Sequence, residues 1–155
     1  MTWEFIFGRF LTMLLVCQLG LILWNLRVVI RPKAGLPKSN AKVSLLIPAR
    51  NEEGFIGDCL RSLINQNHDN MEIIVLDDHS TDRTRAIIES HGAKVKLVSG
   101  KPIPAGWTGK NWACHQLSMQ ATGDVLFFID ADAILEPAAI SSVLHVMRAE
   151  NVDMV

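Results

Sequence analysis

The chain has 155 residues, of which 15 are Lys or Arg and 16 are Asp or Glu, so its formal net charge is -1. That length suits one domain of ordinary size. A nucleic-acid binder would normally carry a basic stripe, and the balanced charge argues against that class of protein. The three cysteines, Cys17, Cys59 and Cys114, lie too far apart to suggest a zinc-binding or redox pair. Reduced thiols in a cytosol-facing domain fit this pattern best.

The N-terminal segment is the first predicted element. Residues 10–26 are mostly apolar, and extension to residue 30 gives about 20 residues, enough for a helix to cross a bilayer. Arg9 precedes the run, whereas the basic residues after it are Arg27, Arg31, Lys33, Lys38 and Lys42. Because cytoplasmic flanks carry the basic excess, we predict a single-pass anchor over residues 1–30 in the cell membrane, with the rest of the chain in the cytoplasm.

Cleaved signals are the alternatives for this segment. A signal peptidase site needs small residues after the apolar run, and residues 25–27 do not supply them. A lipoprotein signal ending at Cys17 would need a small residue before the cysteine, but Val16 stands there. Residues 31–42 follow, with two prolines and a glycine, and are predicted to be a linker to a domain over residues 43–155.

From residue 43 onwards, apolar runs typical of strands alternate with segments of helical periodicity. The predicted strands are residues 43–48, 72–77, 94–98 and 125–129, with a further strand beginning near residue 152. The predicted helices cover residues 56–64, a segment from Ser80 or Thr81 (as caps) to residue 92, residues 108–121 and residues 136–150.

This alternation predicts an α/β fold with a Rossmann-like, mostly parallel sheet and flanking helices. We expect residues 125–129 to form a strand buried on both faces, since the run is continuously apolar. The appearance of another strand at the end of the sequence leads us to expect that the chain is the N-terminal part of a longer protein.

Polar residues follow three of the predicted strands, at residues 49–52, 77–78 and 130–132. The carboxyl ends of parallel strands meet at one edge of a sheet, where ligands of open α/β folds bind. Asp130 and Asp132 repel each other unless a positive charge lies beside them. A divalent cation shared with a phosphate would remove that repulsion. A solvated acidic turn at the end of a strand is the alternative, and this stretch alone leaves both open.

Other nucleotide chemistries fit less well. No G-x-G-x-x-G follows the first strand, which argues against a dinucleotide site. Residues 106–111 (GWTGKN) lack the glycine spacing and the Ser or Thr after lysine of an ATPase phosphate loop. An apolar strand ending in Asp-x-Asp also opens phosphatases of the haloacid dehalogenase type, where the first aspartate is a nucleophile. Those enzymes usually carry it on the first strand, whereas here it follows the fourth.

Three motifs together resemble those of the family 2 glycosyltransferases, which have the GT-A nucleotide-sugar fold. They are residues 43–53 (VSLLIPARNEE), 74–82 (IVLDDHSTD) and 130–132 (DAD). The resemblance runs from about residue 41 to residue 137. Residues 104–113 (PAGWTGKNWA) are more narrowly similar to the membrane-bound branch that glycosylates lipids such as carotenoid or hopanoid derivatives. The resemblance implies inverting transfer from a nucleotide-sugar, commonly a UDP-sugar, to a lipid or polysaccharide acceptor.

The resemblance also implies a role for each matching residue. The donor site would comprise Pro48, Ala49, Arg50, Asn51, Glu52, Asp78, Lys110 and Asp130. Asp78 would accept a hydrogen bond from the base, and Lys110 would approach the base or the diphosphate. Asp130 would face the ribose or the metal, and Asp132 would hold Mg²⁺ or Mn²⁺ on the diphosphate. The general base of the family lies on the acceptor-binding half, so we expect it beyond Val155.

Plainer roles compete with these. Asp82 suits the first turn of a helix, Lys110 can be a solvated lysine, and Trp107 and Trp112 can pack in the domain rather than stack on substrate or membrane. At the level of the whole chain, the alternative function is a non-catalytic nucleotide-binding or interaction module of a membrane-tethered α/β protein.

Overall fold

The computed structural model describes residues 3–28 and 39–154, in two compact units, Met1–Arg31 and Pro32–Val155. Most of the predicted linker, residues 31–38, lies outside the described residues, as do residues 1, 2, 29, 30 and 155. Residues 39–42 pack with the second unit, where the backbone of Lys42 is hydrogen-bonded to Asp124.

The first unit is a single helix, α1, over Trp3–Val28. Its segment Phe5–Arg27 is long and apolar enough to cross a membrane, and its side chains are exposed. A helix that is apolar all round needs either a protein core or a hydrocarbon environment. The structure therefore agrees with the predicted N-terminal apolar helix, and the orientation in a membrane stays a prediction.

The second unit is built on a parallel sheet, which within residues 39–154 has four strands in the order β3-β2-β1-β4. The strands are β1 (Val43–Ala49), β2 (Met71–Asp77), β3 (Lys96–Ser99) and β4 (Val125–Phe128). The flanking helices are α2 (Ile56–Ile64), α3 (Thr84–Glu89), α4 (Gly109–Ser118) and α5 (Ala139–Glu150). The predicted α/β fold with a parallel sheet and flanking helices is confirmed.

The two central strands, β1 and β2, are covered on both faces, because their consecutive middle residues, 45–47 and 73–76, are all apolar and buried. One face carries Leu45 and Ile47 and packs against α2 and α5, and the other carries Leu46 and Ile74 and packs against α4. The side chains from the helices that complete the core include Cys59, Leu60, Leu63, Ala113, Leu117, Ile140 and Leu144. This packing fixes β1 at the centre of the domain.

Strand β4 differs from its prediction. Leu126 and Phe128 are 40% and 50% exposed, so this strand is not buried on both faces. In the described part of the chain β4 pairs with β1 alone and forms an edge of the sheet. An apolar run does not distinguish an edge strand from a central one, which is why the sequence misleads here.

Element boundaries also shift. Strand β3 begins at Lys96 rather than at residue 94, because a 3₁₀ turn over Gly92–Lys94 comes first, with Gly92 at φ 58°. Helix α5 ends at Glu150, the following Asn151 is left-handed (φ 50°), and residues 152–154 form no strand. The predicted strand near residue 152 is therefore wrong for the residues described.

A hydrogen-bond network joins three segments at the amino end of the sheet. Glu72 Oε1 accepts from Ser44 Oγ at 2.6 Å and from the backbone N and Oγ1 of Thr122, both at 2.7 Å. Partial burial raises the pKa of the Glu72 carboxyl, but these hydrogen bonds outweigh it and hold the pKa below its ordinary value of 4.5. The charged form is therefore part of the fold.

We expect Glu72→Gln to lower the free energy of unfolding by about 1 kcal/mol at pH 7, a value discounted for solvent screening. A lowered pKa stabilises the fold above pH 4.5, and that stabilisation is lost as the pH falls through the folded-state pKa. The difference between variant and wild type should accordingly shrink between pH 7 and a pH well below 4.5. Urea unfolding at both pH values measures it, with Glu150→Gln, exposed at the end of α5, as the charge control. An undiminished difference at the lower pH would contradict the prediction.

Candidate functional site

A cleft of about 480 Å³ opens at the carboxyl ends of β1, β2 and β4, beside the start of α4. Its lining residues are Pro48, Ala49, Arg50, Glu52, Asp78, Gly109, Lys110, Ala113, Asp130, Ala131 and Asp132. The structure thus brings together all but one of the residues predicted to bind donor or metal. Asn51 is the exception.

The end of β4 presents its two carboxylates to the cleft through simple alternation. Ile129 and Ala131 are 7% and 4% exposed and point into the core. The intervening and following residues, Asp130 and Asp132, are exposed in turn. A hydrogen bond of 3.0 Å from the backbone N of Ala133 to the carbonyl O of Asp130 closes the turn.

Basic side chains from other elements meet these acids. Lys110 Nζ lies 2.7 Å from Asp130 Oδ1, and Arg50 Nη1 lies 3.8 Å from Asp78 Oδ2. The hydrogen bond and the charge of Asp130 raise the pKa of Lys110. Among residues 3–28 and 39–154, Asp132 makes no ion pair. Acidic side chains outnumber basic ones in the lining, so the cleft attracts cations.

Two adjacent aspartates at the end of β2 serve different purposes. Asp77 is 5% exposed, accepts a hydrogen bond from the backbone N of Ser80 and lies 3.6 Å from Arg85 Nη1. Asp78 instead faces the cleft, and its backbone N donates to the carbonyl of Ala49 at 2.9 Å. A Cβ atom on Gly100 would lie 3.0 Å from Asp78 Oδ1, so glycine leaves the carboxylate its space.

Asn51 ties two loops together. It adopts φ 56°, its backbone N donates to Ser80 Oγ, and its Oδ1 accepts from the backbone N of Thr81 at 2.8 Å. Because Ser80 and Thr81 make these bonds, the prediction that one of them caps the next helix is wrong. The predicted place of Asp82 in the first helical turn is also wrong, because α3 starts at Thr84 with Arg83 as its N-cap residue; Asp82 precedes them, and its Oδ1 accepts from the backbone N of Thr84 at 2.9 Å. Sequence reasoning missed the hydrogen bonds of Asn51 to Ser80 and Thr81, since no local sequence pattern marks a contact between two distant loops.

The loop before α4 is held by an aromatic cluster of Trp107, Trp112 and His115, whose ring centroids lie 5.0–5.4 Å apart. Trp112 Nε1 donates to the carbonyl of Lys101 at 3.0 Å. The two tryptophans therefore pack against each other within the domain. This packing places the first turn of α4, with its positive dipole end, on the cleft. Sequence reasoning did not identify Gly109 and Ala113 as lining residues of the cleft. Both are small and lie close to Lys110 in the sequence, and that pattern could have identified them.

Comparison with known proteins decides the family. The sequence profile of Glycosyl transferase family 2 matches residues 44–155. The chain belongs to this family. It is 37% identical over 117 residues to a 4,4'-diaponeurosporenoate glycosyltransferase of Staphylococcus haemolyticus (strain JCSC1435), a match that covers 75% of this chain and 31% of that protein. The chain therefore spans about a third of the length of this family 2 relative.

Solved structures of GT-A glycosyltransferases agree. The structure of Staphylococcus aureus TarS 1-349 in complex with UDP-GlcNAc has a TM-score of 0.61 and 27% identity, over 71% of this chain and 32% of that one. Glucosyl-3-phosphoglycerate synthase from Mycobacterium tuberculosis, in complex with Mn²⁺, UDP and phosphoglyceric acid, has a TM-score of 0.50 and 32% identity, over 61% of this chain and 34% of that one. The resemblance to family 2 with the GT-A fold is confirmed.

The family 2 cleft offers a divalent cation only part of its ligands. Within the described residues, no group of three or more His, Cys, Asp or Glu side chains could hold a metal ion alone. Asp130 and Asp132 supply hard carboxylate oxygens. Mg²⁺ is commonly bound by one or two carboxylates, with phosphate and water oxygens completing the shell. The residues thus fit a cation shared with a diphosphate.

Proposed function

We propose that this chain is the donor-binding part, residues 43–155, of an inverting glycosyltransferase that uses a nucleotide-sugar and Mg²⁺ or Mn²⁺. The donor would be a UDP-sugar and the acceptor a lipid or polysaccharide. One observation carries the proposal, namely the convergence of Asp78, Asp130 and Asp132 on a single cleft with Arg50 and Lys110. UDP-GlcNAc and UDP in the two related structures support the choice of nucleotide.

The lining suggests a division of labour. Asp130 and Asp132 would hold the cation, which when bound neutralises the charge that develops on the departing diphosphate. The start of α4 would receive phosphate oxygens, because helix N-termini bind anions. Asp78 would accept the N–H of uracil, since its carboxylate is partly exposed to the cleft. The Pro48–Ala49 segment would contact the base, and Arg50 and Glu52 the rest of the nucleotide.

The general base is proposed to lie beyond Val155. Inverting transfer needs a group that takes the proton of the acceptor hydroxyl. Glu136, Glu150 and Asp153 are the acidic side chains after Asp132, and the cleft is lined by none of them. The described chain thus accounts for donor binding, and the acceptor half would complete the reaction.

A membrane-associated lipid acceptor is the form of the proposal that best uses helix α1. Its apolar surface would anchor the protein in the cell membrane, with residues 43–155 on the cytoplasmic side. The relative from Staphylococcus haemolyticus is named for diaponeurosporenoate, a carotenoid-type compound. An acceptor of that apolar kind would reach the active site from the bilayer.

Calorimetric titration of UDP and UDP-GlcNAc into the full chain in detergent micelles tests the proposal. We expect binding with Mn²⁺ that is at least about tenfold weaker with EDTA in its place. Equal binding without metal would favour the alternative, a non-catalytic nucleotide-binding module. GDP serves as the control for base recognition, because Asp78 is proposed to accept a uracil N–H.

A further inference from the structure

Lys110 places a positive charge on the carboxylate that the proposed function assigns to the metal. Its Nζ donates to Asp130 Oδ1 at 2.7 Å, a full ion pair at hydrogen-bond distance. A divalent cation at Asp130 would meet this ammonium either at the same oxygen or a few ångströms away. The two cations cannot share one carboxylate without repulsion.

The pair is well suited to exchange. The side chains of Lys110 and Asp130 are 66% and 61% exposed, and exposed ion pairs are held only weakly. Asp132 makes no ion pair within the described part of the chain, so one carboxylate of the two is open to a first contact with the cation. A divalent cation that also brings phosphate oxygens can therefore displace the ammonium.

The displaced ammonium has a new partner close by. Lys110 lies in the first turn of α4, and both Lys110 and the neighbouring Gly109 line the cleft. A diphosphate bound at that helix N-terminus would present oxygens to the Lys110 side chain, which is long and flexible. The lysine would lose a carboxylate and gain a phosphate in the same event.

We propose that Lys110 is a counter-cation that exchanges between Asp130 and the donor diphosphate, so that metal alone binds poorly and metal and nucleotide bind together. This inference rests on the proposed function, and it adds the order in which the cleft accepts its ligands. It makes Lys110 a positioning residue with opposite effects on two equilibria. Lys110 weakens the binding of Mn²⁺ in the absence of nucleotide, and it strengthens the binding of Mn²⁺ when nucleotide is present.

Titration of Mn²⁺ into the full chain in detergent micelles, followed by the electron paramagnetic resonance signal of free Mn²⁺, measures both equilibria. Lys110→Gln should bind Mn²⁺ alone about three- to tenfold more tightly than wild type, because one repelling charge is gone. In the presence of UDP the same variant should bind Mn²⁺ about three- to tenfold less tightly. The first difference should shrink as salt is raised.

Two controls separate this effect from general charge loss. Lys94→Gln removes an equal charge from an exposed site before β3, away from the cleft lining, and should match wild type in both titrations. Lys110→Arg keeps the charge and should also lie close to wild type with Mn²⁺ alone. A variant that merely folds less well would lose affinity in both titrations, and that result would overturn the proposal.

Failure of the inference and failure of the proposed function give different results. If wild type binds Mn²⁺ with UDP but Lys110→Gln binds Mn²⁺ alone no more tightly than wild type, the exchange is wrong and the donor site stands. If wild type binds Mn²⁺ neither alone nor with UDP, the proposed function fails and the exchange fails with it.

Discussion

Asp132→Asn is expected to weaken Mn²⁺-dependent binding of UDP about 100-fold, because it removes one of the two carboxylates available to the cation. Asparagine keeps the shape of the side chain and one oxygen but lacks the charge. Asp132 makes no ion pair in the described residues, so its replacement leaves no Lys or Arg side chain without its partner. Calorimetry of UDP with Mn²⁺ and with EDTA should show that only the metal-dependent part of the affinity is lost.

The control is Asp153→Asn, which removes the same charge from a different pocket, one that β4 also lines and that the residues of the cleft do not share. It should bind UDP and Mn²⁺ as wild type does. If Asp132→Asn stays within about threefold of wild type, the cation does not use this carboxylate. The solvated acidic turn considered from the sequence would then describe residues 130–132 better.

The placement of the site could be predicted because it depends on strand order and little else. Apolar runs identify β1, β2 and β4, and a parallel arrangement puts their carboxyl ends at one edge. Arg50, Asp78 and Asp130 then have to meet, whatever the details of the loops. In the structure these three residues line the same cleft.

Contacts that depend on the meeting of distant loops could not be predicted. Asn51 belongs to the same motif as Arg50, but its backbone N donates to Ser80 Oγ and its side-chain Oδ1 accepts from the backbone N of Thr81, about 30 positions further on. A motif gives residue types in order, and it does not state which side chains turn away from the ligand. The exposure of Phe128 is a similar case, because burial of a strand depends on neighbours in space.

The partner of Lys110 illustrates the same limit for charges. The sequence left a solvated lysine and a ligand-binding lysine as equal alternatives. In the folded chain Trp107 packs against Trp112 at the start of α4, and Lys110 Nζ lies 2.7 Å from Asp130 Oδ1, a contact across 20 residues that the sequence does not specify. The charge of a residue is known from the sequence, whereas its electrostatic role follows from tertiary structure.

Gly123→Ala is expected to lower the free energy of unfolding by about 2–3 kcal/mol, since the added Cβ has no room. It would lie 2.7 Å from both the backbone N and Oγ of Ser44 and 2.9 Å from the carbonyl O of Lys42. Two of these three atoms, Ser44 N and Lys42 O, belong to the backbone in β1 or just before it. Backbone atoms cannot rotate aside, so β4 would have to move away from β1. That movement would weaken the hydrogen bonds from Gly123 N to Ser44 Oγ and from Asp124 N to Lys42 O.

The effect should also reach the cleft, because β4 carries Asp130 and Asp132 at its other end. Urea unfolding of the full chain measures the stability, and Mn²⁺-dependent UDP binding measures the site. The matched control is Gly54→Ala, where a Cβ meets nothing within 4 Å and the change should stay within about 0.5 kcal/mol. Equal stabilities of the two variants would mean that β4 can shift along β1 without loss. The close pairing of these strands would then not be what aligns the two carboxylates with the rest of the cleft.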